Sequence, residues 1–248
     1  MIELQGVCFG YDREPLLKGL SCRMEDGSIT AVIGPNGSGK STALKLCARL
    51  LSPGGGEIRV DGRPSSEYEP KAFARALAFL PQSRPVPMIS VRSLVSHGRF
   101  PHLGMTRKLT RADEAAVDRA LELTGMTGCA RRDLRTLSGG QRQKAYLAML
   151  IAQGAKHLLL DEPTTYLDVL HQMELMDILR ALRAEGCCVT VVLHDLTQAL
   201  QLCDHVLLLH EGRLLYDGSP AELYASGAIE AAFGVRPVRR EGVFFERS

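Results

Sequence analysis

Neither sign of charge dominates this chain of 248 residues, in which 30 Lys and Arg stand against 28 Asp and Glu for a formal net charge of +2. That balance argues against a protein held on nucleic acid by bulk charge, and no nucleic-acid partner is expected. Zinc-type cysteine spacing is also missing. The seven cysteines (Cys8, Cys22, Cys47, Cys129, Cys187, Cys188 and Cys203) are odd in number and several lie in apolar runs, which reads as reduced thiols. Long apolar stretches are lacking too. Runs such as Val189 to Leu193 fall far short of the roughly 20 residues that cross a bilayer. The opening residues "MIELQGVCFGYD" have no basic segment followed by an apolar core, so no signal peptide is expected. The glycosylation match at Asn36-Gly37-Ser38 is then empty. Internal repeats and low-complexity tracts are absent as well.

What is there is an alternation. Short apolar runs are separated by longer segments of helical period, the pattern of a buried parallel sheet wrapped by helices. The runs Ile29–Ile33, Leu77–Leu80, His157–Leu160, Val189–Leu193 and Val206–Leu209 are expected strands, with helices starting near Lys40, Asp168 and Asp195. Residues 2–8 and 20–24, with a turn at Glu25-Asp26-Gly27, read as antiparallel strands, as does Glu57–Val60 before Asp61-Gly62. From Ser83 to about Gln153 the pattern becomes mainly helical, and Thr110 with Asp113 and Glu114 marks a helix start. The expected division is a core of residues 1–82 and 154–233, a helical insertion at 83–153 and a tail at 234–248. That tail is basic and then apolar at Val243-Phe244-Phe245, which reads as a solvated segment with a short docking strand.

The stretch "GPNGSGKST", Gly34 to Thr42, fits G-x-x-x-x-G-K-[ST] between a strand and a helix, the context that motif needs. Its glycines let the backbone curl around phosphates, Lys40 neutralises the β/γ oxygens, and the Ser41 hydroxyl suits Mg²⁺. The strand run "HLLLD" ends in two adjacent carboxylates, Asp161 and Glu162. The first suits a Mg²⁺ shell and the second can polarise an attacking water. Gln82 follows "ALAFLP" and His194 follows "VTVVL". Gly34, Gln82, Asp161, Glu162 and His194 therefore all follow strands, where open parallel sheets gather ligands. A second anion site stands in "TLSGGQRQKA", where Ser138, Gly139 and Gly140 precede or open a helix.

Taken in order, Gly34–Thr42, Gln82, "LSGGQ" at 137–141, "LLLDEP" at 158–163, "TTYLD" at 164–168 and His194 resemble the ATPase subunit of an ATP-binding cassette (ABC) transporter, over essentially the whole chain. The resemblance implies an α/β fold of the P-loop NTPase, RecA-like type. It would have a mostly parallel sheet, an N-terminal antiparallel β subdomain and an inserted helical subdomain. It implies ATP and Mg²⁺ as cofactors and assigns roles to individual residues. Tyr11 stacks on adenine, while Gly34, Pro35, Asn36, Gly37, Ser38, Gly39, Lys40, Ser41 and Thr42 wrap the phosphates. Gln82 reaches Mg²⁺ and the attacking water, Asp161 holds Mg²⁺ through water, Glu162 is the catalytic base, and His194 contacts the γ-phosphate. Ser138, Gly139, Gly140 and Gln141 complete the site of a second, head-to-tail copy, and Asp168 communicates across the dimer. The second phosphate cradle then serves the partner's nucleotide.

A narrower resemblance joins "TTYLD" and "HQMELMDIL" to "LVSHGRFPHLG" at 94–104, a combination similar to the subgroup that serves importers of iron–siderophore complexes, haem and vitamin B12. It implies permease subunits as partners, a substrate-binding protein as an indirect one, and a peripheral place on the cytoplasmic face of the cell membrane. The alternative is a soluble single-cassette ATPase acting in cofactor or complex assembly. A small-molecule P-loop kinase would leave "LSGGQ" and the His194 position unexplained.

Overall fold

The computed structural model describes residues 1–11, 14–104, 107–165 and 167–238. Tyr166 of "TTYLD" and the apolar stretch at 243–245 lie outside the described residues. Among the described residues ten strands form two sheets. The first contains β1 (Ile2–Tyr11), β2 (Glu14–Met24), β4 (Gly55–Val60) and the short β5 (Arg63–Pro64), in antiparallel order β2-β1-β4-β5. The second runs β10-β9-β3-β8-β7-β6, built from β3 (Ile29–Ile33), β6 (Leu77–Leu80), β7 (His157–Asp161), β8 (Cys188–Val192), β9 (His205–His210) and β10 (Arg213–Gly218). All of its pairings are parallel except β10 with β9.

Helices α1 (Lys40–Cys47), α2 (Pro70–Ala76), α3 (Val91–His97), α4 (Arg111–Leu123), α5 (Gly139–Ala152), α6 (Val169–Ala184), α7 (Leu196–Leu202), α8 (Pro220–Ala225) and α9 (Ala228–Phe233) cover what the strands leave bare. Strands β3, β7 and β8 are buried at every position, which is why they read as continuous apolar runs rather than alternations. Successive side chains divide between two cores. Ile29, Ala31 and Ile33 join the helices of one layer, whereas Val32 meets α1 and the antiparallel sheet. Each fully buried Leu, Ile or Val contributes about 1.5–3 kcal/mol to holding these layers together.

Helices α3, α4 and α5 pack on one another as a unit. Their starts are chemically specified. Thr110 and Asp113 form a reciprocal capping box on α4, and Ser138 and Gln141 form another on α5. Arg99, just after α3, ties the three together. It pairs with the buried Asp113 of α4 at 2.9 Å and donates to the Ala152 carbonyl at the end of α5, 2.8 Å away. Among the described residues no helix is long and apolar enough to cross a membrane.

The parallel register decides where the site can form. Leu80 pairs with Leu160, and Asp161 with Val192. The ends of β6, β7 and β8 therefore lie side by side, and Gln82, Glu162 and His194 emerge along one sheet edge.

Candidate nucleotide site

The loop from β3 to α1 is Gly34–Gly39, and its shape depends on Gly39. That residue caps α1 with φ +101°, a left-handed conformation that disfavours any side chain, and a Cβ there would meet Leu17 Cδ2 at 2.5 Å. The free N–H groups at the start of α1 consequently face a loop rather than a capping side chain. Lys40 is buried, and its ammonium donates to the carbonyl oxygens of Gly34 (2.8 Å) and Pro35 (2.9 Å). Burial lowers its pKa, an effect opposed by the nearby carboxylates of Glu162 and Asp161. The cation is thus stored inside its own loop, next to the place where phosphate oxygens would enter.

Ser41, on the first turn of α1, donates its hydroxyl to Asp161 Oδ1 at 2.7 Å. Asp161 is 3 % exposed, and burial raises its pKa, with the Ser41 hydrogen bond opposing. The Ser41 and Asp161 oxygens lie side by side at a strand end, a donor set that fits a hard cation such as Mg²⁺.

One residue further on, Glu162 adopts φ +50°. Left-handed backbone at a non-glycine residue costs roughly 1–2 kcal/mol and turns this side chain out of the strand's line. Its carboxylate meets side chains that follow the neighbouring strands and one from its own turn. Gln82 donates through Nε2 to Oε2, His194 Nε2 lies 2.5 Å from Oε1, and Thr165 Oγ1 donates to Oε2 at 3.3 Å. Gln82, Glu162 and His194 therefore meet directly, while Lys40, Ser41 and Asp161 form the adjoining group. Thr165 was not singled out from the sequence. The signal was its spacing, since the turn after Glu162, closed by Thr165 N–H to the Glu162 carbonyl at 3.3 Å, folds residue i+3 back.

Tyr11, the last residue of β1, is half exposed, with its hydroxyl 3.5 Å from Thr42 Oγ1 and Phe9 packed edge-on against its ring. The structure places it against the helix that follows the phosphate loop, with ring surface open to solvent.

The second candidate cradle is at the start of α5, where the Ser138 hydroxyl accepts from Gln141 N–H at 3.2 Å. A cleft of about 670 Å³ separates Glu162 and Gln82 from this helix, with Gly139, Arg142 and Gln143 on its far wall. Ser138 and Gly139 are exposed, as is Asp168, which caps α6 by accepting from His171 N–H at 2.9 Å. No residue from Gly34 to Thr42 lines that cleft. Two side chains bridge it: Gln143 donates to the Pro163 carbonyl at 2.7 Å, and Arg84 donates to Gln143 while stacking on Tyr146, 4.8 Å from the ring centre.

A phosphate loop opening α1, paired acidic residues closing β7, and a serine-capped glycine helix across the cleft define a nucleotide-hydrolysing cassette. The ABC transporter family model matches residues 17–165, and the chain belongs to that family, whose cassettes bind and hydrolyse ATP. It is 41 % identical to the ferric enterobactin transport ATP-binding protein FepC of Escherichia coli K12, over 93 % of this chain and 86 % of that one. Identity to the petrobactin import ATP-binding protein FpuC of Bacillus anthracis is 40 %, covering 95 % of this chain and 87 % of the relative. The fold also matches a metal-chelate type ABC transporter solved in an inward-facing conformation, with TM-score 0.82, 30 % identity, and coverage of 95 % of this chain and 89 % of the other.

Proposed function

We propose that this chain is the ATP-hydrolysing subunit of an importer for an iron–siderophore, haem or cobalamin-type cargo. Two copies would face head to tail beneath membrane permease subunits at the cytoplasmic face, with a substrate-binding protein delivering the cargo. The observation that carries the chemistry is the meeting of Gln82, Glu162 and His194 beside Ser41 and Asp161. The cargo class is supported by the near-full-length identity of about two in five to proteins named for ferric enterobactin transport and petrobactin import.

In this reading Lys40 exchanges the Gly34 and Pro35 carbonyls for β/γ-phosphate oxygens, gaining charge-assisted contacts in place of neutral ones. Ser41 and Asp161 would hold Mg²⁺, with Gln82 beside them. The ion's contribution is neutralisation of phosphate charge. Glu162 accepts a proton from the attacking water as the oxygen bonds to the γ-phosphorus, and the bond from that phosphorus to the ADP oxygen breaks. For this, Gln82 and His194 must release the Glu162 carboxylate, Gln82 turning to the water and His194 to the γ-phosphate. ATP closes the dimer, and hydrolysis reopens it. The test is uptake by a strain lacking this chain. Loss of uptake of one iron chelate, haem or cobalamin is expected, with amino-acid and sugar uptake intact; the reverse pattern would refute the assignment.

A further inference from the structure

The segment "HQMELMDIL" after Asp168 has no part in the chemistry above, yet its histidine occupies a singular place. His171 lies on the first turn of α6 with its Nδ1 2.6 Å from Asp168 Oδ1, while its own backbone N–H caps the same carboxylate oxygen. These bonds hold the Asp168 carboxyl below its usual pKa. The other side of the ring faces α5. A Cβ on Gly140 would lie 2.6 Å from His171 Cδ2 and 2.8 Å from Cγ and Nε2. The ring is tethered to Asp168 and would have to give up that bond to make room. One turn further along both helices, Lys144 of α5 pairs with Glu174 of α6. The two helix starts that present Ser138 and Asp168 are therefore cross-linked by two rungs, and His171 is the outer one.

We infer that His171 is a positioning residue that fixes Asp168 and the Ser138–Gln141 turn as one rigid surface for the nucleotide held by the second copy. This inference rests on the head-to-tail reading above. A side chain in this role touches no nucleotide. It affects only the step in which the partner-facing surface closes on ATP, so its loss should leave the chain's own phosphate loop untouched. The absence of a Cβ at Gly140 then has a reason beyond backbone freedom, because it is the seat of the imidazole.

The experiment uses the full chain carrying Glu162→Gln, which should trap the ATP-bound dimer, and measures the ATP-dependent monomer–dimer equilibrium by sedimentation. Nucleotide affinity of the dilute monomer and thermal stability are measured alongside. Adding His171→Ala should weaken dimerisation about tenfold or more, as loosened positioning does, with monomer nucleotide affinity within about twofold. His171→Asn keeps a donor to Asp168 without the ring, and His171→Phe keeps a ring against Gly140 without the donor. Each should recover part of the loss. Dimerisation unchanged by His171→Ala would overturn the inference and leave the head-to-tail reading standing. Equal loss of monomer affinity and dimerisation would mark a merely structural histidine and also overturn it. If Glu162→Gln alone forms no ATP-dependent dimer, the head-to-tail reading falls and takes this inference with it.

Discussion

In the proposed reaction Glu162 is the residue on which the chemistry turns, because its left-handed backbone, two donors (Gln82 and Thr165) and the adjacent His194 set the carboxylate between β6 and β8. Glu162→Gln preserves shape while removing the proton acceptor. A general base contributes roughly 10²–10⁴-fold, so turnover should fall by that factor, about 3–5 kcal/mol of barrier, with ATP binding retained. Turnover within about threefold of wild type, in a steady-state phosphate-release assay, would remove Glu162 from the role. Tyr11 makes a separate prediction. If its open ring stacks on the base, Tyr11→Ala should cost roughly 1–3 kcal/mol of nucleotide affinity and Tyr11→Phe almost none, for ATP and GTP alike. A Phe variant as weak as the Ala variant would point to the hydroxyl, which already lies near Thr42.

Among the elements, α4 shows how one capping residue stabilises a whole layer. The hydroxyl and the backbone N–H of Thr110 donate to Asp113, and Arg99 adds an ion pair, which together hold its carboxyl at about 2, below the usual carboxylate range. A carboxylate with a depressed folded-state pKa contributes stability that is complete above its unfolded value and is lost as pH falls toward the folded one. Wild type should exceed Asp113→Asn by on the order of 1–2 kcal/mol near neutrality, a gap that closes as pH drops from about 4 to about 2. Urea titrations across that range measure it, and a gap independent of pH would contradict the assignment.

The elements also divide by how visible they are in sequence. Strands β3 and β6 have the bounds that their apolar runs mark, β3 because burial on both faces demands continuous apolar sequence and β6 because all but Phe79 of its residues are buried. The starts of α4, α6 and α7 follow from Thr110, Asp168 and Asp195, whose side chains accept the N–H bonds that such caps exist to satisfy. Strand β10 was not legible. It is an antiparallel edge whose residues alternate between exposed and half-buried, and "RLLYDG" has no apolar run to announce it. Helices α2, α8 and α9 span six or seven residues each, too few turns for a period to register. The candidate site could be named from the sequence residue by residue, but its contacts could not. That Gln82 touches Glu162 depends on β6 and β7 being neighbours, and that His171 lies under Gly140 depends on how α5 meets α6. Neither is written in local spacing.

At the scale of the whole molecule, one chain carries two candidate phosphate cradles, the loop at Gly34–Thr42 and the helix start at Ser138. The cleft beside Glu162 includes Gly139, next to Ser138, but none of the loop. A second copy arranged head to tail would bring each helix start to the other's loop and so complete two sites. Differentially tagged dimers test this directly. Lys40→Ala removes the loop's charge, and Ser138→Arg blocks the helix start with a bulky side chain. With the two lesions in different chains, a head-to-tail dimer places both in one site and leaves the other intact, so ATP turnover should persist. With both lesions in one chain and a wild-type partner, each site carries one lesion and turnover should be lost. Turnover confined to this second pairing would contradict the account, since it would mean that each helix start serves the phosphate loop of its own chain.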